Sequence, residues 1–64
     1  MVRVNGKWLD LAGMTVSDYL AEQQYDQKRV AVECNGEIVC KANYGQTIFA
    51  DGDLVEVVSF VGGG

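Results

Sequence analysis

Apolar and polar residues alternate from Val2 to Leu11, with one interruption at Asn5-Gly6. An Asn-Gly pair between two alternating segments is the strongest short-range signal of a β-hairpin. A two-residue loop at this point pairs Val4 with Lys7 and Val2 with Leu9. The pattern predicts a hairpin with Val2, Val4, Leu9 and Leu11 on one face and Arg3, Trp8 and Asp10 on the other.

The following segment changes to helical spacing. Gly13 ends the strand pattern, and Thr15 is placed to cap a helix, with Asp18 at the third helical position. The apolar residues Val16, Tyr19 and Leu20 then recur at intervals of three and four on one face, which Gln23 would extend. We predict a short helix from Val16 to about Gln24, which packing must stabilise because it is too short to be stable alone.

The segment from Val30 to Cys40 predicts a second hairpin, for which two registers are open. A two-residue loop at Asn35-Gly36 pairs Glu33 with Ile38, which places a charge beside an apolar residue expected in the core. A three-residue loop that includes Cys34 instead pairs Val32 with Ile38 and Val30 with Cys40. We favour the three-residue loop, which leaves Glu33 and Glu37 together outside at a small cost in repulsion.

This register places Cys34 in the turn and Cys40 in the core, about 10 Å apart at ~3.4 Å per residue. Because disulfide partners need Cα atoms within about 7 Å, we expect no internal disulfide. Both cysteines are interpreted as structural, with a sulfur-relaying persulfide on Cys34 as the alternative.

The last third of the chain predicts an irregular connection and a final strand. The "ANYGQTIF" segment indicates a loop with a turn at Tyr44-Gly45. We interpret "DGD" at Asp51–Asp53 as a tight turn and not as a metal site, because a calcium-binding loop needs many more ligands. In the final strand, Val55 and Val57 should face the helix, and the open face should carry Leu54, Glu56, Val58 and Phe60. The order β-β-α-β-β-β predicts an α+β fold, the ubiquitin-like β-grasp, with about five strands in a mixed sheet and one helix on one face.

Composition narrows the function. The chain has 64 residues, a net charge of −4 and five Lys and Arg, which argues against nucleic-acid binding and suits a basic protein partner. It has no His and only two Cys, so it has neither a zinc ligand set nor the commonest general base. No segment is typical of a signal peptide or a membrane span, and we expect a cytoplasmic, non-membrane protein that is not itself an enzyme.

Four segments resemble a known family: "TVSDYL", "VAVECNGEIV", "DGDLVEVV" and "VGGG". In order and spacing from Thr15 to Gly64 they are similar to the ThiS sulfur carriers of thiamine biosynthesis. The chain departs from that family in "QQYDQK" after the helix and in Cys34, where an apolar residue is usual.

The resemblance implies that the carboxylate of Gly64 is adenylated by an E1-like enzyme of the ThiF type, which consumes ATP, and is then converted to a thiocarboxylate. A sulfur donor such as a cysteine desulfurase would supply the sulfur, and thiazole synthase would receive it. No cofactor would be bound by the chain itself.

Two parts of the chain would perform this role. We expect a β-grasp domain over residues 1–61 and a flexible tail of Gly62, Gly63 and Gly64, whose missing Cβ atoms let it enter a narrow site. Exposed residues beside the tail are expected to dock on the partner: Trp8, Val58, Phe60 and Val61.

Three other functions stay open at this point. The small subunit of molybdopterin synthase shares the fold and the diglycine end. A ubiquitin-like modifier would join its terminus to a lysine. A plain interaction domain with a frayed tail would have no chemistry of its own.

Overall fold

A mixed sheet and one helix form the part of the chain that the computed structural model describes, residues 1–60. The elements are β1 (Val2–Val4), β2 (Lys7–Leu9), α1 (Val16–Glu22), β3 (Val30–Cys34), β4 (Glu37–Val39) and β5 (Leu54–Ser59). The five strands are arranged in the order β2-β1-β5-β3-β4, with β1 and β5 parallel and the other pairs antiparallel. The predicted β-grasp is confirmed. The proposed domain limit at Val61 and the glycine tail lie outside the described residues.

The first hairpin has the predicted register, with Val2 opposite Leu9 and Val4 opposite Lys7. Its turn residues Asn5 and Gly6 have φ values of 50° and 85°, as a two-residue hairpin turn of this kind requires. Val2 and Val4 are buried in the core under α1.

Helix α1 begins as predicted and ends two residues earlier than expected. Thr15 caps it, because its Oγ1 accepts a hydrogen bond from the N–H of Asp18 at 3.1 Å. The helix ends at Glu22 because Gln24 adopts a left-handed φ of 63°. The N–H groups of Gln24 and Tyr25 then bond back to the carbonyls of Ala21 and Leu20, the Schellman arrangement.

The favoured register of the second hairpin was wrong. Val32 pairs with Val39, Glu33 with Ile38 and Cys34 with Glu37, so the loop is the two-residue turn Asn35-Gly36. Both turn residues have positive φ, 54° and 84°, which closes the turn without a bulge. The objection to this register assumed that Ile38 faces the core, but its side chain is 77% exposed on the open face of the sheet.

The connection between β4 and β5 contributes core residues that the sequence analysis missed. A short 3₁₀ turn at Lys41–Asn43 leads to Tyr44, which is 2% exposed, and Phe49 is 1% exposed. Phe49 packs edge-on against Tyr19 of α1 with ring centroids 5.9 Å apart. The loop therefore closes the core at one end of the helix.

Candidate functional site

Two of the predicted docking residues lie on strand β5 or directly after it, Val58 and Phe60, and they precede the glycine tail in the sequence. From Leu54 to Val58 its side chains alternate: Val55 and Val57 are buried, whereas Leu54 and Val58, with Phe60 just after the strand, are each more than half exposed. The predicted facing of this strand is confirmed. The N–H of Phe60 donates to the carbonyl of Arg29 at 2.7 Å, so backbone pairing with the segment just before β3 continues to the last described residue.

Four residues of the predicted site come from the C-terminal end of the sequence. Val61, Gly62, Gly63 and Gly64 lie outside the described residues. Their roles stay predictions, as does the docking role of Trp8, Val58 and Phe60.

Trp8 is on the same open face but far from the end of β5. It pairs with Arg3 across β1–β2, and Arg3 pairs with Leu54 at the start of β5. Val58 and Phe60 are therefore about 14 and 20 Å further along the strand at ~3.4 Å per residue. The Arg3 guanidinium carbon lies 5.8 Å from the Trp8 ring centroid, a cation–π distance. Trp8 and Phe60 thus occupy two ends of one face and do not form a single cluster beside the tail.

The open face also contains residues that the sequence analysis placed wrongly or overlooked. Ile38 points outward on β4, and Glu33 lies next to it on β3. Glu33 faces Glu56 of β5, not Glu37 as the wrong hairpin register implied. The Asn-Gly sequence, taken alone as a two-residue turn, could have placed Ile38 correctly. The Glu33–Glu56 pair had no such local signal, because β3 and β5 are distant in sequence.

Neither cysteine occupies the position expected for it. Cys34 ends β3, is half-buried, and lies on the same side of the sheet as Val32. Cys40 is exposed, so its predicted place in the core was wrong. The second hairpin turns one residue later than expected, which moves Cys34 into the strand and Cys40 beyond it. Both thiols are free, in agreement with the expectation of no internal disulfide.

The environment of Cys34 disfavours thiolate chemistry. Burial, followed by the charge of Asp53, raises the pKa of the Cys34 thiol. Its Sγ lies 3.7 Å from Oδ2 of Asp53, to which the thiol donates. A thiol that stays protonated is a weak nucleophile.

The Asp51–Asp53 segment forms the predicted tight turn, with Gly52 at a φ of 90°. The Asp53 carboxylate accepts hydrogen bonds from the N–H of Ala50 at 2.8 Å and from the amide of Asn35 at 3.0 Å. These bonds lower the pKa of Asp53. The turn therefore fastens the start of β5 to the tip of the second hairpin.

Comparison with known proteins identifies the family. The sequence profile of the ThiS family matches residues 2–64. The chain is 43% identical to the sulfur carrier protein ThiS of Bacillus subtilis strain 168 over the full length of both. The chain belongs to the ThiS family.

A solved structure supports the assignment. The crystal structure of the thiamine biosynthesis protein ThiS from Geobacter metallireducens superimposes with a TM-score of 0.76 at 34% identity, covering 98% of this chain and 97% of that one. Among residues 1–60, no helix of this ThiS-family chain is both long and apolar enough to cross a bilayer.

A second kind of relative is much longer. A thiazole synthase of Paramagnetospirillum magneticum strain AMB-1 is 51% identical over 53 residues. The match covers 83% of this chain but spans only 16% of that protein. A ThiS-like segment therefore occurs within a protein that is named as a thiazole synthase.

Proposed function

We propose that the carboxyl group of Gly64 is the group on which this chain carries sulfur, and that the sulfur is used to build the thiazole ring of thiamine. As a member of the ThiS family, the chain is a sulfur carrier protein of thiamine biosynthesis and not a catalyst. The observation that carries the finer proposal is the family match that runs through the "VGGG" segment to residue 64.

The chemistry explains why an activating enzyme is needed. A carboxylate is a poor electrophile, because its charge repels nucleophiles and oxide is a poor leaving group. Attack of the Gly64 carboxylate on the α-phosphate of ATP forms an acyl adenylate and releases pyrophosphate. A sulfur nucleophile can then form the C–S bond while the C–O bond to AMP breaks. If that nucleophile is a persulfide, a second thiol must then reduce the resulting S–S bond, forming a disulfide itself, to leave the thiocarboxylate on Gly64. The chain contributes the carboxylate, and an E1-like enzyme of the ThiF type contributes the ATP site.

In this proposal the glycine tail reaches the active site of the partner, and the folded domain makes the docking contacts. Three extended residues reach about 10 Å at ~3.3–3.6 Å each, enough for Gly64 to enter a buried centre while the domain docks outside. Ordering the tail costs about 1–2 kcal/mol per residue, which contacts of the folded domain must offset. The open face ending at Val58 and Phe60 is proposed for these contacts, with Val61 as the adjoining residue.

We further propose that thiazole synthase accepts the sulfur, that a cysteine desulfurase or similar enzyme donates it, and that these steps occur in the cytoplasm. The long relative named as a thiazole synthase supports the first of these steps, because it contains a segment that resembles this chain. Direct fusion of a carrier-like segment is consistent with a carrier that delivers to the same enzyme.

Mass spectrometry tests the proposal. The purified chain is incubated with the adenylating enzyme of its own organism, ATP and a sulfur source, and its intact mass is measured. We expect a gain equal to the difference between sulfur and oxygen, located at Gly64 by fragmentation and absent when ATP is left out. Unchanged mass, or an isopeptide bond to a lysine instead, would contradict the proposal. Transfer to a molybdopterin precursor but not to thiazole synthase would contradict the assigned acceptor.

A further inference from the structure

Two carboxylates face each other at the centre of the open face. Glu33 of β3 is the direct cross-strand partner of Glu56 of β5. Side chains in such a pair have Cβ atoms about 4.5–5.5 Å apart, and like charges in this position destabilise a sheet. The fold therefore places two like charges side by side on β3 and β5, and β5 is the strand that leads to the tail.

No cation of the described chain neutralises this pair. The ion pairs within residues 1–60 join the amino terminus to Asp51 and Arg29 to Asp26. Arg3 lines the same shallow depression as the two glutamates, but its guanidinium carbon lies 5.8 Å from the Trp8 ring centroid and it is not in either of these ion pairs. Both carboxylates are consequently available to a positive group from outside.

Apolar side chains surround the pair. Val58 is two residues beyond Glu56 on the same face of β5, and its cross-strand partner is the small residue Ala31. Ile38 lies beside Glu33, and Leu54 precedes Glu56 on the open side of β5. These residues leave a surface with a charged centre and an apolar margin, which is a favourable setting for a charge pair that becomes desolvated on docking.

We propose that Glu33 and Glu56 together receive a basic side chain, best an arginine, from the enzyme that adenylates the tail. The planar guanidinium can donate to two carboxylates at once, and it relieves the repulsion between them. Val58 and Phe60 then pack on apolar side chains around that arginine, next to the entry of the tail. This inference rests on the proposed function, since it assigns the docking partner of the same face.

The charge of the chain favours a basic protein surface over other occupants. The net charge of −4 opposes a nucleic acid or another anion. A metal site is not favoured either, because no cluster of three potential metal ligands occurs within residues 1–60. An arginine-bearing protein surface satisfies both the charge and the apolar margin.

Binding of charge-neutral variants tests the inference. Glu33→Gln, Glu56→Gln and the double variant are titrated into the adenylating enzyme by isothermal calorimetry at low and high salt. Glu37→Gln is the matched control, because Glu37 is an exposed glutamate of the same hairpin that pairs with Cys34 and faces away from the pair. Unfolding by urea is measured for each variant.

We expect the double variant to bind about tenfold or more weakly than wild type, and to lose much of the salt dependence of binding. It should be at least as stable as wild type, because a repulsive pair has been removed. Glu37→Gln should bind within about twofold of wild type, as expected for a charge outside the contact. Wild-type affinity in the double variant, or an equal loss in Glu37→Gln, would overturn the inference.

The proposed function is tested separately, by the mass change at Gly64. If wild type gains no sulfur but its binding still depends on Glu33 and Glu56, the proposed function fails and the docking inference stands. If wild type gains sulfur and the double variant binds equally well, the docking inference fails alone.

Discussion

Asn5 holds Val57 in the central strand through both ends of its side-chain amide. Its Oδ1 accepts a hydrogen bond from the N–H of Val57 at 2.9 Å, and its Nδ2 donates to the carbonyl of Val57 at 3.1 Å. Asn35 plays a similar part on the other side of β5, where its Oδ1 accepts from the N–H of Leu54 at 3.0 Å. The two Asn-Gly turns thus fasten the strand that leads to the tail from both sides.

Replacing Asn5 should destabilise the domain. Asn5→Ala loses both hydrogen bonds to Val57. It also places alanine at a φ of 50°, a left-handed conformation that asparagine tolerates better than alanine does. We expect the free energy of unfolding to fall by about 1–3 kcal/mol in urea titrations. Asn5→Gly separates the two causes, because it loses the same bonds but tolerates the backbone. An unchanged urea midpoint in Asn5→Ala would show that the two hydrogen bonds between Asn5 and Val57 do not contribute to stability.

Val57 and Phe60 lie on opposite faces of the same segment and should respond in opposite ways. Val57 is 7% exposed and Phe60 is 55% exposed. Val57→Ala should lower stability by about 2 kcal/mol by leaving a cavity in the core, while the folded fraction binds the adenylating enzyme normally. Phe60→Ala should weaken that binding by about thirtyfold with little effect on the melting temperature. If Phe60→Ala unfolded the domain while Val57→Ala weakened binding alone, the roles assigned to the two faces would be wrong.

Acid should weaken the fold partly through Asp53. Its pKa is lowered first by the hydrogen bond from Ala50 and then by that from the Asn35 amide. A carboxylate with a lowered folded-state pKa contributes stability above its unfolded pKa, and that contribution is lost as the pH falls through the folded value. Asp53→Asn should therefore be less stable than wild type at neutral pH and lose less stability between about pH 5 and pH 2.

Asp10→Asn is a suitable control, because Asp10 is an exposed aspartate that directly follows β2. Its stability should follow the wild-type pH profile in urea titrations. If Asp53→Asn also followed the wild-type profile, the hydrogen bonds of this carboxylate would not contribute to stability.

The two thiols should react at different rates. Iodoacetamide should modify the exposed Cys40 before the half-buried Cys34, because burial and Asp53 raise the pKa of the Cys34 thiol. Peptide mapping during a time course at mildly alkaline pH measures both rates, and unfolding in urea should bring them together. Faster labelling of Cys34 would contradict its described environment.

Sulfur loading should not need either cysteine. Cys34→Ser and Cys40→Ser are each expected to form the thiocarboxylate on Gly64 at the wild-type rate. Loss of loading in Cys34→Ser alone, with the fold intact, would favour the persulfide relay instead.

Local patterns predicted most of the fold. Alternation around Asn5-Gly6 determined the first hairpin, and Thr15 with the spacing of Val16, Tyr19 and Leu20 determined the start of the helix. These features depend on neighbours in sequence. The alternation of β5 likewise identified which of its side chains are buried.

The failures share a different cause. The second hairpin was placed in the wrong register because Ile38 was assumed to be a core residue on the basis of its hydrophobicity. Tyr44 and Phe49 were missed because they enter the core from an irregular segment, in which apolar residues do not recur at the spacing of a helix or a strand. The Glu33–Glu56 pair requires the alignment of two strands that are distant in sequence, which no local pattern specifies.

The central claim is that Gly64 itself carries the sulfur, and adding one residue tests it most directly. A chain extended by a single Ala after Gly64 should fold with the wild-type melting temperature, because the last strand, β5, already ends at Ser59. Its intact mass is measured beside that of wild type after incubation with the adenylating enzyme, ATP and a sulfur source. We predict that wild type gains the mass of oxygen replaced by sulfur and that the extended chain gains none. Equal sulfur loading of the extended chain would contradict the account.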